Sequence, residues 1–275
     1  MRARGFEIAL VTATVVAVAF LALPLVALLT RTSVADLVAA LGSDVALDAL
    51  IVSLKTSVIA HVLVLIVGTP AAYLLGTRTF RGRNALVAIT ELPLVLPPVV
   101  AGIALLSAFG RSGLLGGSLS IVGLELPFTQ VAVILAIAFV ASPFYLRQAI
   151  AAFEGVDRQL VDAARTLGAR PGRVFGRVVL PLAAGGLGAG SVLAFARGIG
   201  EFGATIIFAG SLQGRTQTLP LAIYGELDHD FDIAIAMSVV LVVLSVGAIA
   251  AVRMTGAWTP FVSTSRFRGG TSTSR

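Results

Sequence analysis

Six stretches of this chain are each apolar for about the 20 residues that a helix needs to cross a bilayer. They lie near 9–29, 54–76, 86–110, 129–149, 179–200 and 233–253. The length is set by a hydrocarbon core about 30 Å thick, spanned at 1.5 Å per residue. Only 12% of the residues are charged and 57% are hydrophobic. A soluble globule carries about 25% charge, so the pattern predicts an all-α, polytopic membrane protein with six transmembrane helices. Arg2 and Arg4 precede the first run as they would in a signal peptide. That run is too long for a typical signal core and five more follow, so we read it as a retained helix.

Loop charge tests this count. The N-terminus carries Arg2 and Arg4, the 77–85 loop Arg78, Arg81 and Arg83, and the tail Arg253, Arg266, Arg268 and Arg275. The 147–178 loop carries six arginines against Glu154, Asp157 and Asp162. The alternate loops are acidic or sparse, with Asp36, Asp44 and Asp48, then Glu125, then Glu226, Asp228, Asp230 and Asp232. Every second loop is basic, which predicts both termini in the cytoplasm. The net charge of +6 is then the arginine of cytoplasmic loops, and no nucleic-acid partner is expected. The absence of cysteine excludes disulfides and thiolate metal sites. His61 and His229 are far apart, and no metal site is expected. We read residues 1–261 as a single transmembrane domain and the Ser-, Thr-, Gly- and Arg-rich segment 262–275 as a disordered tail.

The loop at about 152–175 has its own pattern. Asp157 can cap a helix over 158–167 by accepting first-turn amides. Leu160, Val161, Ala164 and Leu167 then fall on one face. Gly168 suits the left-handed residue that ends a helix, and Pro171 the first turn of the next. The prediction is helix, sharp turn, helix. Ala163 and Ala164 are small enough to let another surface approach the backbone, and Asp162 offers a charge for a partner's arginine.

The same segment resembles the Glu-Ala-Ala motif of permease subunits of bacterial ATP-binding-cassette (ABC) importers. That motif is Glu-Ala-Ala, three residues, Gly, nine residues, then Ile-x-Leu-Pro. Here Asp162-Ala163-Ala164 is followed by Arg165-Thr166-Leu167, Gly168, and nine residues later Val178-Val179-Leu180-Pro181. Asp stands for Glu and Val for Ile. The resemblance implies a type I importer permease fold in the bacterial cytoplasmic membrane. It also implies a coupling helix whose Leu160, Asp162, Ala163, Ala164, Leu167 and Gly168 dock into a cytoplasmic ABC ATPase. A phosphate-binding loop requires G-x-x-x-x-G-K-[ST], and the only lysine, Lys55, lacks the preceding glycines. No catalytic residue and no cofactor are therefore expected in this chain, with ATP and magnesium on the partner.

Val179 to Gly210 is apolar for about 32 residues, too long for one straight span. Gly198, Gly200 and Gly203 offer places to break it, with 204–209 turning back near the outer surface. The run Gly200-Glu201-Phe202-Gly203-Ala204-Thr205, then Thr216-Gln217-Thr218-Leu219-Pro220-Leu221-Ala222-Ile223-Tyr224, resembles oxyanion permeases, most closely the molybdate subgroup. Sulfate and thiosulfate permeases are near relatives, and tungstate is a further candidate. Leu92 to Gly102, with Pro97-Pro98, resembles the same subgroup. The resemblance implies a separate extracytoplasmic oxyanion-binding protein and a second copy of the chain sharing the path.

A dianion crossing hydrocarbon needs donors along a wet path. Thr205, Thr216, Gln217 and Thr218 are candidate donors, with amides at the glycine breaks beside them. Arg197 and Glu201, four apart, read either as flanking the path or gate with Pro97, or as a structural ion pair. Glu201 is expected to neutralise Arg197 rather than meet a dianion. Glu91 is read as snorkelling to the interface, and His61 as a hydrogen-bonded core residue. Pro97-Pro98 and Pro143 predict kinks. The small residues Gly186 to Gly190 predict close helix packing, either within the chain or at a subunit interface. An ion-coupled secondary transporter would show midmembrane acids or inverted repeats, and an intramembrane enzyme clustered His, Asp or Cys; neither pattern stands out.

Overall fold

The structure, a computed structural model, describes residues 2–254; the expected tail at 262–275 lies outside them. The described residues form helices and turns. Helix α1 (Arg2–Arg31) is followed by α2 (Val34–Leu41) and the long α3 (Asp44–Thr77). Then come α4 (Arg83–Val95), α5 (Pro98–Phe109), the short α6 (Gly116–Ile121) and α7 (Gln130–Glu154). The second half holds α8 (Arg158–Thr166), α9 (Pro171–Val174), α10 (Leu180–Ile199), α11 (Gly203–Phe208), α12 (Leu219–Glu226) and α13 (Phe231–Met254). Polar caps begin several of them. Ser43, Thr129 and Asp157 each accept a first-turn amide, and Ser33 forms a reciprocal box with Asp36.

Five helical stretches are long and apolar enough to cross a membrane, and the pair α4–α5 makes a sixth if counted as one span. That pair departs from a single kinked helix at 86–110. Its two halves meet at 118°. Pro98 lacks an N–H, the residue before each proline is driven from helical geometry, and Leu96 and Pro97 are both extended.

The core is built on α3, α7 and α10. Their contact faces carry small residues: Ala60, Gly68 and Ala72 on α3, Ala141 and Ala149 on α7, Ala183 and Ala194 on α10. Lipid tails are as apolar as leucine, so helices here gain by close packing rather than by leaving water. Large side chains fill what remains. Tyr145 and Phe153 are fully buried, and Tyr145 shares a hydrogen bond of 2.5 Å with Thr69. His61 meets Ser191 at 2.8 Å and stacks edge-on with Phe195, which joins α3 to α10 as a core histidine would.

The glycines of α10 pack within the chain. A Cβ at Gly186 would lie 2.5 Å from the Ala152 Cβ, and one at Gly190 2.9 Å from the Gln148 Cβ. This face therefore meets α7 and is not a surface for a second subunit. Replacing Gly186 with leucine should destabilise the full-length protein by about 1–3 kcal/mol, the usual cost of overpacking. Gly172→Leu, whose added Cβ meets nothing, should stay within about 0.5 kcal/mol of the parent in the same melting experiment by circular dichroism.

Helix α1 lies outside this core, against α13. Phe6, Val15, Phe20 and Leu23 are exposed along it, as a lipid-facing helix requires.

Candidate functional site

The loop between α7 and α10 folds as the spacing predicts. Asp157 accepts the Gln159 amide at 2.8 Å and starts α8. Gly168 has φ +81, in the left-handed region. Its N–H donates to the Arg165 carbonyl, and the Ala169 N–H reaches back to Ala164. This pair of bonds is a Schellman motif, which ends the helix and satisfies its last carbonyls. Pro171 then opens α9 at its first turn.

The face of α8 divides differently from the periodicity. Val161 and Ala164 pack toward the Tyr73–Phe153–Phe175 cluster. Leu160 and Leu167 point away and are 48% and 88% exposed. Ala163 and Asp162 are also exposed, as are Arg158, Gln159, Arg165 and Thr166, so the outward surface of the knuckle sets two leucines and an alanine among polar and charged side chains. Asp162 reaches its own Arg165 at 3.5 Å, with both side chains mostly in solvent. Such a pair contributes little and leaves the carboxylate available.

The segment after the knuckle does not stop at the membrane surface. From Pro171 to Ile199 the chain is helical, eight residues longer at its start than the expected 179–200. One widened turn, Phe175–Val179, interrupts its regularity. Pro181 supplies the reason: it has no N–H, and its ring would strike the carbonyl four residues back. The Leu180 N–H reaches instead to Phe175, which loosens the turn just before the proline.

The far end of α10 breaks at Gly200, as the glycines suggest. Arg197 Nη1 lies 2.7 Å from Glu201 Oε2, and the Glu201 side chain is 1% exposed. Glu201 Oε1 also accepts the Ala204 amide at 2.8 Å. The carboxylate is thus held from two sides, by a guanidinium and by the first turn of α11. One of the amides at the glycine breaks is thus occupied by the protein itself. Helix α11 is buried between α5 and α7, with Ala204 and Phe208 fully enclosed. A Cβ at Gly203 would sit 2.5 Å from that of Pro98. The breaks at Pro97-Pro98 and at Gly200–Gly203 therefore abut, which brings Pro97, Arg197 and Glu201 into one neighbourhood.

The polar candidates lie beside this region. Phe202 stacks with Tyr224 of α12, ring centroids 5.1 Å apart, and ties the break to the segment holding Thr216, Gln217 and Thr218. Thr216 accepts the Leu212 amide at 3.0 Å and closes its own loop. Thr205 Oγ1, Gln217 Oε1 and Thr218 Oγ1 are buried without a hydrogen-bond partner. So is Ser57 Oγ on α3, a residue the sequence did not single out. One turn earlier, Ser53 Oγ accepts the Leu219 amide at 2.6 Å, which places the α12 segment against this face of α3. Unpaired buried polar atoms are costly and uncommon.

Glu91 stands apart. It is half exposed, 4.0 Å from Arg147, near the Arg83–Glu154 ion pair at the end of the bundle.

Comparison with known proteins agrees with this architecture. Residues 68–257 match the family model described as binding-protein-dependent transport system inner membrane component. The molybdenum transport system permease protein ModB of Mycobacterium tuberculosis is 45% identical over 251 residues, covering 90% of this chain and 93% of that protein. ModB of Escherichia coli K12 is also 45% identical, over 64% of this chain and 78% of its own length. Among solved structures, a bacterial ABC transporter that imports the acidic polysaccharide alginate superposes with a TM-score of 0.72 at 18% identity. It covers 92% of this chain and 96% of its own. The MetNI methionine ABC transporter gives 0.61 at 20% identity, over 78% and 97%. These structures share the fold, that of type I ABC importer permeases, and so the all-α architecture stands. With a family model spanning more than half its length, and a relative 45% identical along nearly all of it, this multi-pass membrane chain belongs to the binding-protein-dependent transport system inner membrane components.

Proposed function

We propose that this chain is the membrane-spanning subunit of an ATP-driven importer for an oxyanion, with molybdate as its solute. The observation that carries this reading is the knuckle: a short helix α8 that leaves Leu160 and Leu167 exposed, ended by a tight turn, and followed directly by the helix reaching the Glu201 break. A pore with no driven element has no use for such a part. The partners in this reading are a cytoplasmic ABC ATPase, which holds ATP and magnesium and receives α8, and an extracytoplasmic oxyanion-binding protein. A second copy of the chain completes the path, and both termini lie in the cytoplasm. The permeases of Mycobacterium tuberculosis and Escherichia coli, named for molybdenum transport, support the choice of solute.

In this mechanism the ATPases close on ATP and draw the two knuckles together, and the helices follow largely as rigid bodies. The solute meets Thr205, Gln217, Thr218 and Ser57, whose hydroxyl and amide groups replace part of its hydration, and Pro97 lies at the adjoining break. Binding there stays weak, since a tight site would hold the ion. Arg197 and Glu201 act as a closed pair that shapes the gate. A secondary transporter is disfavoured because Glu201, the one fully buried carboxylate among the described residues, is already held by Arg197 and the Ala204 amide.

Uptake of labelled molybdate into vesicles holding the permease with its ATPase and binding protein tests this. Uptake should require ATP and persist in excess sulfate. Competition by sulfate would move the assignment to a sulfate or thiosulfate permease, and preference for tungstate to a tungstate permease. Uphill accumulation by the permease alone would end the ATP-driven reading.

A further inference from the structure

A groove beneath α8 lies apart from the proposed solute path, though Asp162 of the docking surface is part of its lining. It has a volume of about 260 Å³ and lies between the end of α3, the end of α7 and the inner flank of α8. Tyr73 and Phe153 are among its apolar lining, and Arg78, Arg158 and Arg165 among its charged lining. A neighbouring recess shares Arg78, Glu154 and Arg158 with it and adds Arg83, so the two are continuous.

Charge in this groove is unbalanced. Arg83 is paired with Glu154, and Arg165 lies 3.5 Å from Asp162. Arg78 and Arg158 have no carboxylate partner among the described residues. Glu154 and Asp162 also line it, so the joined recesses hold four arginines against two carboxylates, an excess of two guanidiniums. Planar guanidinium forks match tetrahedral oxyanions, which they bind in bidentate fashion. The groove also sits where α3 and α7 end, at the depth of lipid headgroups, and basic pockets between helices at that depth take anionic headgroups.

We propose that this groove binds a phosphate-type oxyanion group, presented by an anionic lipid headgroup or as a free inorganic ion. Occupied, it bridges Arg78 at the end of α3 to Arg158 at the start of α8 and braces the knuckle against its own bundle. The proposal does not depend on which solute the protein transports.

The test uses the full-length protein in nanodiscs, with two probes. The first is labelled inorganic phosphate, bound to protein in phosphatidylcholine discs. The second is phosphatidylglycerol, whose immobilisation is followed with a spin-labelled lipid. The variant is Arg78→Gln with Arg158→Gln, and Arg173→Gln, outside the groove, is the control. Saturable phosphate binding that falls at least tenfold in the double variant, and survives in the control, identifies a free anion. Immobilised phosphatidylglycerol that is lost in the same variant, without phosphate binding, identifies a headgroup. Arg78→Lys with Arg158→Lys keeps the charge and should retain most of either signal. If the double variant does not fold, Arg158→Gln alone should lower the same signal at least threefold. Absence of both signals in the parent protein, or equal signals in parent and variant, overturns the site.

Discussion

Glu201→Ala should destabilise the protein by about 3 kcal/mol, near the lower end of what breaking a buried ion pair costs. Two losses add. Arg197 is left with its charge uncompensated beside hydrocarbon, and the Ala204 amide loses its acceptor. The figure stays at the low end because Arg197 is 31% exposed and can recover some hydration. Glu201→Gln should fall between the two, since it still offers an acceptor to Ala204 but no charge to Arg197. Removing both partners, Arg197→Ala with Glu201→Ala, should cost less than the sum of the single changes, because no charge is stranded. Thermal melting in detergent measures these variants, Arg197→Ala and the parent. A Glu201→Ala curve that overlays the parent would remove the ion pair from any account of this region.

Leu167→Glu should act in the opposite way, abolishing coupling while leaving the fold intact. Leu167 is 88% exposed, so its replacement should change stability by no more than about 0.5 kcal/mol. Docked in an ATPase groove, the same side chain would be buried, and a charge there loses the contact and pays desolvation. Loss of one anchoring residue costs about 2 kcal/mol or more, some 30-fold in affinity. Co-purification of the ATPase subunit should fall accordingly, and ATP-driven uptake with it. Gly168→Val provides a second route to the same result by straining a residue at φ +81 and so re-aiming the turn. Undiminished uptake in both variants would exclude this knuckle as the coupling element.

Much of this architecture is legible in the residues, for physical reasons. Apolar length and arginine alternation place the membrane helices because hydrocarbon thickness and loop charge act on each segment separately. The Gly168 turn is legible because left-handed geometry and a following proline are local requirements. The Arg197–Glu201 pair follows from helical spacing alone. Other features depend on partners distant in sequence. Two successive prolines announce a break at 97–98, but the 118° between α4 and α5 is set by α7 and α11 packing on either side. Periodicity groups Leu160 with Val161 and Ala164, yet a short helix does not disclose which flank meets the core. Gly186 and Gly190 announce close approach without saying to what, and the answer is α7 of the same chain. Ser57 lies in a 34-residue apolar helix and gives no local sign that its hydroxyl is buried and unpaired, as Thr205, Gln217 and Thr218 atoms are elsewhere in the fold.

The helix that begins at Pro171 and ends at Ile199 is about 43 Å long at 1.5 Å per residue. In the proposed mechanism it is a lever whose handle is the Gly168 turn and whose tip is the Glu201 capping site. Displacement of the handle reaches the tip at once, with no relay of loop rearrangements between them. The loosened turn at Phe175–Val179 is the one soft point along the rod. It lies close to the handle, so most of the rod's length swings as a single body.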